Sequence, residues 1–389
     1  MRGWVGTLLF VFVSCATSTR SGAQVPDVPD TYRERFKPRD SIDRSSVGRS
    51  VAAGLKWLAE HQDLDGRWDC DGFMKNDAAG DPTDDVGLPI HDIGVTGLAL
   101  LGFLGDGNTM VAGEYRDEVR RAVGWLSDQQ RSEGLLGTDN SSNYIYDHAI
   151  ATYALCEAYG LYQDSELKPV AQAAIDYLEA HRNPGGVWRY QPRDGDHDLS
   201  VTGWCTMAYK VAQDFGLAVE PEAWTSIESF LDRVTDSESG RAGYQQAGQP
   251  SSRWPGDHAA RFPPENGEAM TAVGLSCRIV LAQDVADTPL MPRAADLITA
   301  KLPLWNEDSI DYYYWYFASQ AMYQMGGRHW AQWRSAIHSV LTSEQRTDEN
   351  FRGSWDAASV WGENGGRVYS TSMAVMTLQA EYRYGKFNK

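Results

Sequence analysis

Two kinds of helical pattern alternate along this chain. The first carries apolar residues at i, i+3, i+4 and i+7 with charges between them, as at Val119, Ala122, Val123 and Leu126. That spacing predicts a helix with one buried face. It recurs over roughly 47–62, 114–130, 165–182, 221–235, 290–302 and 328–345. The second kind is apolar nearly all round, with Gly, Ala, Ser and Thr interleaved, as in Gly94-Val-Thr-Gly-Leu-Ala-Leu-Leu-Gly102 and Ala269-Met-Thr-Ala-Val-Gly-Leu-Ser276. It covers roughly 92–105, 147–160, 199–216, 267–284, 310–326 and 369–384. A helix without a polar face must be buried on every side.

A punctuated motif ties the two sets together and returns about every 50 to 65 residues. The copies are Gly54-Leu-Lys-Trp-Leu-Ala-Glu-His-Gln62 followed by Asp65-Gly-Arg-Trp68, Ala174 to His181 followed by Gly185-Gly-Val-Trp188, and Ala336 to Gln345 followed by Arg352-Gly-Ser-Trp355. Internal repetition of this kind decides architecture. Six polar-faced helices alternating with six apolar ones predict an all-α, (α/α)6 toroid over 47–389, with each tryptophan an apolar plug between an outer helix and the next inner one. The last inner helix offers no polar face to cap an open stack, so closure onto the first repeat is expected. Residues 24–46, rich in Pro and charge, read as an N-terminal arm or linker.

The net charge of −18 and pI near 4.8 exclude a nucleic-acid face, which must be basic. Residues Trp4 to Ala16 form an apolar run behind Arg2, too short to span a bilayer. Ser21-Gly-Ala23 follows as a small-x-small site. Together they predict a signal peptide over 1–23, export to the periplasm, cell surface or exterior, and no transmembrane span in the mature chain. Cys15 offers lipoprotein anchoring as the alternative. Of the other cysteines, Cys156, Cys205 and Cys277 sit in apolar helical runs as small core residues, and no pair has CxxC spacing.

At these residues the chain resembles the terpenoid cyclase and protein prenyltransferase superfamily. Gly54 to Trp68 is similar to its Gln-Trp repeat. Tyr146-Asp-His-Ala-Ile-Ala-Thr-Tyr-Ala-Leu155, Asp198-Leu-Ser-Val-Thr-Gly-Trp204 and Tyr369-Ser-Thr-Ser-Met-Ala374 resemble inner helices of squalene-cyclase-like repeat proteins of the exported bacterial type. The resemblance implies a toroid with a central cavity for an apolar or isoprenoid-like ligand. It does not bring the acid of squalene-type cyclases, an Asp-x-Asp-Asp cluster: the acids at the corresponding places are Asp92 and Asp147, preceded by His91 and Tyr146. The prenyltransferase side of the family implies a zinc held by Asp, Cys and His. Cys70 and His148 are the residues of those types in comparable settings, and zinc is the cofactor they imply.

The residues themselves offer further candidates for chemistry. His91-Asp92, Asp147-His148 and Asp196-His197-Asp198 all fall at the starts of inner helices, which on a closed ring share one mouth. There they can act as acid, base or metal ligand, or simply cap helix N-termini. The long insertion before Gly267 carries Arg253, Trp254 and His258, a cation and a stacking face. Asp311, Tyr312 and Trp315 open the fifth inner helix with an aromatic run suited to a ligand wall or to core. The expected partner is a small-molecule or lipid-like ligand, or a polysaccharide. Three functions remain open at this point: an apolar-ligand toroid, a polysaccharide lyase or hydrolase on the same barrel, and a non-catalytic cell-envelope scaffold. A dry aromatic cavity, a cleft with two carboxylates, and a filled axis would separate them.

Overall fold

The computed structural model describes residues 28–285 and 287–387. The leader expected over 1–23, with Cys15, lies outside them. Twelve helices build the body. The outer ones are α1 (Ser46–Glu60), α3 (Arg116–Asp128), α5 (Leu167–His181), α7 (Pro221–Val234), α9 (Leu290–Thr299) and α11 (Gly327–Ser343). The inner ones are α2 (Asp92–Gly105), α4 (Tyr144–Tyr162), α6 (Leu199–Asp214), α8 (Ala269–Val280), α10 (Tyr312–Met325) and α12 (Gly362–Leu378). Each inner helix packs on the next, and α12 packs back on α2, so the (α/α)6 ring is closed. Among the described residues there is no strand, only two isolated bridges. No described helix is long and apolar enough to cross a membrane.

The outer helices bury one stripe each. In α3 this is Val119, Ala122, Val123 and Leu126. The inner helices are buried almost throughout, from Ile93 to Gly105 in α2 and over nearly all of α4. Small residues let them crowd: a Cβ on Gly97 would stand 3.0 Å from the Ala151 Cα of the neighbouring helix.

The repeated motif is a hydrogen-bonding device as well as a plug. Trp68, Trp188 and Trp355 are fully buried, and each indole N–H donates to a leucine carbonyl at the end of the preceding outer helix: Leu58 at 2.7 Å, Leu178 at 2.8 Å and Leu341 at 2.8 Å. The glutamine of the motif reaches both ways. Gln62 Nε2 donates to Gly66 O in its own turn and to Glu118 O of α3, and Gln130 does the same with Gly134 O and Val170 O of α5. Gln345 donates to Gly353 O and, across the seam, to Ser50 O of α1. The seam has a second lock. Buried Arg367 donates to Asp84, Asp85, Ser354 and Asp356, holding the loop before α2 against the start of α12.

α12 differs from the expected 369–384. It begins with a turn at Gly362 and kinks at Gly366, whose φ of +63° suits glycine. It then stops at Leu378, ahead of a short turn over Ala380–Arg383.

The axis is sealed where the inner helices end. Arg35, Glu157 and Arg383 are fully buried there. Arg35 Nη1 lies 2.6 Å and Arg383 Nη2 2.9 Å from Glu157 Oε1, and Tyr384 OH donates to Oε2 at 2.6 Å. Arg35 belongs to the segment expected as arm or linker. That segment forms short turns over Asp30–Arg33, Glu34–Phe36 and Asp40–Asp43 and packs on the base of the ring, with Tyr32 OH donating to Asp214.

Candidate functional site

With one end sealed, the hollow remains at the other, where the inner helices begin. The first turns of these helices surround a cavity of about 200 Å³. Its wall is aromatic and aliphatic: Tyr146, Tyr190, Trp204, Tyr244, Trp254, Tyr313, Trp361 and Tyr369, with Val95, Leu98, Ile150 and Met270. Asp147 is the single carboxylate of the lining, and it is bound to His91. Trp254, 40% exposed, carries the wall out to the surface.

His91 Nδ1 stands 3.0 Å from Asp147 Oδ2 and 3.1 Å from Oδ1, and both residues are buried. Burial pushes the imidazole down, but contact with Asp147 outweighs it and the His91 pKa is raised. Burial also raises Asp147, against the pull of His91. The first shift favours the ion pair and the second the neutral pair. A carboxylate accepting through both oxygens from Nδ1 keeps the shared proton on the ring, so the first governs. Nδ1–H is thereby committed to Asp147, and Nε2, buried, has no protein partner. The dyad joins the turn that leads into α2 to the first turn of α4, one residue from each of two sequence pairs.

The partners within those pairs serve the frame. Asp92 accepts from Cys70 N at 2.8 Å and from Arg67 Nη1 at 2.9 Å, and burial pushes it up to about 6. It stands outside the lining, in a carboxylate cluster with Asp69 and Asp71. Arg67 and Lys75 lie against that cluster, Lys75 Nζ at 2.7 Å from Asp69.

His148 accepts from Leu136 N at Nδ1 and donates to Ala174 O from Nε2, each at 3.1 Å, and burial lowers its pKa to about 3. It is a neutral strut between α4 and α5 with no ring nitrogen left for a metal. The Cys70 sulfur faces the Asn364 carbonyl at 3.5 Å, and burial raises its pKa. The expected cysteine–histidine zinc centre is therefore not assembled, because both donors are already engaged by backbone.

The third pair also divides. Asp198 is buried and caps α6, accepting from Val201 N and Ser200 Oγ, while its other oxygen accepts from Tyr244 OH. It holds two hydroxyls of the lining from behind. Asp196 is exposed and pairs with Arg189, and His197 packs on Phe230 and contacts Asn183. Neither lines the cavity.

The insertion folds over the mouth. Arg253 reaches the lining and is held by three bonds, from Nε to Phe262 O, from Nη1 to Ser252 O and from Nη2 to Asp311 Oδ2. His258 holds the insertion down: Nε2 donates to Val360 O at 2.9 Å, Trp254 N donates to Nδ1 at 3.2 Å, and the ring packs on Trp361. Asp311 caps α10 through Tyr314 N and anchors Arg253. Tyr312 and Trp315 are core. The wall residue of that aromatic run is Tyr313, between them. Sequence reasoning also missed Trp204, Tyr369 and Asn364. The available signal was one position per inner helix in its first turns, facing the axis of a closed ring.

The chain matches no family model and no curated protein sequence. Its fold matches those of solved structures. A variant of the type II terpene cyclase MstE from Scytonema, with the product merosterolic acid A, shares 17% identity at a TM-score of 0.52 over 87% of this chain and 98% of that one. An α-1,6-mannanase of Salegentibacter, with α-1,6-mannotriose, shares 9% identity at a TM-score of 0.60 over 86% and 99%. An unsaturated glucuronyl hydrolase specific for heparin shares 13% identity at 0.59 over 86% and 96%. In fold, then, this is a terpenoid-cyclase-like (α/α)6 toroid. Glycan-active enzymes are built on the same frame, so fold does not choose between functions.

Proposed function

We propose that this chain is an exported toroid, matured after Ala23, that binds an apolar, isoprenoid-like small molecule in the cavity at the inner-helix mouth and presents His91 to it. The carrying observation is the lining: eight aromatic side chains, and a single carboxylate already bonded to His91. Glycoside hydrolysis by two flanking acids needs a second carboxylate facing the ligand. Asp198 is turned to its cap and Asp92 lies outside the lining, so neither supplies it. A scaffold with a filled axis would have no such hollow. Nε2 of His91 is the group placed to give a proton to the ligand or take one from it, with Asp147 holding the ring.

The test is a thermal-shift series on the chain from Gln24, comparing isoprenoid lipids with acidic and neutral oligosaccharides. Ligands that bind the folded state raise the midpoint by mass action. Isoprenoids should raise it and oligosaccharides should not. A shift with oligosaccharides alone would transfer the function to the glycan-active class.

A further inference from the structure

Three polar atoms of the cavity lining are buried without a protein partner: His91 Nε2, Tyr369 OH and Asn364 Oδ1. The other buried atoms in that condition, such as the hydroxyls of Thr202, Ser370 and Ser372, belong to residues outside the lining. A buried polar group without a partner carries a desolvation penalty, so three gathered around one apolar hollow call for an explanation. Arg253, also in the lining, gives one N–H from each of its three nitrogens to Phe262 O, Ser252 O and Asp311, so each of its nitrogens is already partnered and it is not among the unpartnered atoms.

The donor and acceptor types are informative. With Nδ1 engaged by Asp147, Nε2 is the ring nitrogen left to the cavity, donating when the ring is charged and accepting when it is neutral. Tyr369 OH donates or accepts, whereas Asn364 Oδ1 only accepts. The set therefore calls for a ligand group that donates at least once and also accepts. An alcohol or phenol oxygen does both, with two lone pairs and one O–H. A hydrocarbon satisfies none of the three, and a carbonyl leaves Asn364 unpaired.

On the apolar-ligand reading of the cavity, we propose that the ligand is an isoprenoid-like molecule bearing a hydroxyl head, held by His91, Tyr369 and Asn364. Tyr369 and Asn364 are thereby specificity-determining residues. They stand on either side of the Gly366 kink, whose positive φ lets α12 place both at the mouth.

The experiment compares farnesol with farnesene, the same isoprenoid chain with and without the hydroxyl, by titration into the chain from Gln24. Farnesol should bind at least about tenfold more tightly, since farnesene leaves the three groups unpaired. Tyr369→Phe should shrink that ratio toward one. It should not lower the unfolding midpoint of the free protein, because the hydroxyl it removes bonds to nothing in the fold. Should Tyr369→Phe fail to fold, Asn364→Ala must shrink the ratio instead. Equal binding of the two probes, or an unchanged ratio in the folded variant, overturns the hydroxyl head and leaves the apolar cavity standing. If neither probe binds, the apolar-ligand reading falls and this inference with it.

Discussion

The two ends of this toroid each bury an acid against a cation, and they do so to opposite effect. At the sealed base, both oxygens of Glu157 are taken by Arg35, Arg383 and Tyr384, and Arg35 and Arg383 hold its pKa below the usual range in spite of burial. At the mouth, Asp147 has one partner, His91, and burial raises its pKa. At the base both oxygens of the acid are engaged, and the cluster holds. The mouth keeps a ring nitrogen, a hydroxyl and an amide oxygen unspent. Buried polarity inside one fold thus separates into a structural kind, in which the acid is enclosed by several charged and hydroxyl partners of its own chain, and a kind that looks outward for its last partner.

The contrast predicts where damage registers. Glu157→Gln strips the counter-charge from two buried arginines and should destabilise by about 3–5 kcal/mol in chemical denaturation. Because the folded pKa of Glu157 is depressed, its contribution is present above about pH 4.5 and is lost as pH falls through the folded value. Loss of stability on acidification should therefore be blunted in Glu157→Gln. Gln345→Ala removes both bonds of the seam latch and should cost about 1–3 kcal/mol. Asp198→Ala removes the α6 cap and should cost about 1–2 kcal/mol in the same measurement.

The mouth should answer differently. The double change His91→Gln with Asp147→Asn replaces an ion pair by neutral amides, and a buried pair replaced as a unit is close to neutral for stability, within about 1 kcal/mol. Ligand-induced thermal shifts should nonetheless vanish. A double variant as unstable as Glu157→Gln would erase the distinction between the two ends. Asp92 offers the finest test. With a folded pKa of about 6, it binds a proton more readily folded than unfolded, so it lowers stability as pH rises from about 4 to about 6. Asp92→Asn should flatten the pH profile in that window.

Much of the frame was legible in the sequence, because helical periodicity is a local property. The reading of α2 as 92–105 coincides with Asp92–Gly105, and α6 and α10 lie within a few residues of expectation. The motif tryptophans were placed by their spacing, and the structure adds the indole and glutamine bonds that make the spacing necessary. The site was less legible for a physical reason. Adjacent residues on a helix point about 100° apart, so His91-Asp92 and Asp147-His148 could not each act as a pair. The structure recombines them, His91 with Asp147 across two helix starts, and turns Asp92 and His148 into the frame. Asn364 carried no motif, and Tyr369 opened a stretch read only as an inner helix. Their placement depends on a kink and on ring closure, both of which lie beyond any local pattern.

Closure has a consequence in time. Gln345 grips Ser50 across 295 residues of sequence, and Gly385 N donates to Thr31 O where the two ends of the described chain meet at the base. Contacts between such distant residues form late, because the loop they close spans most of the described residues. A chain still being made has inner helices with no neighbour on one side and a cavity with no floor. Ligand binding in this architecture is thus a property of the closed ring: residues near both ends of the described chain are among those that turn a row of helices into a container.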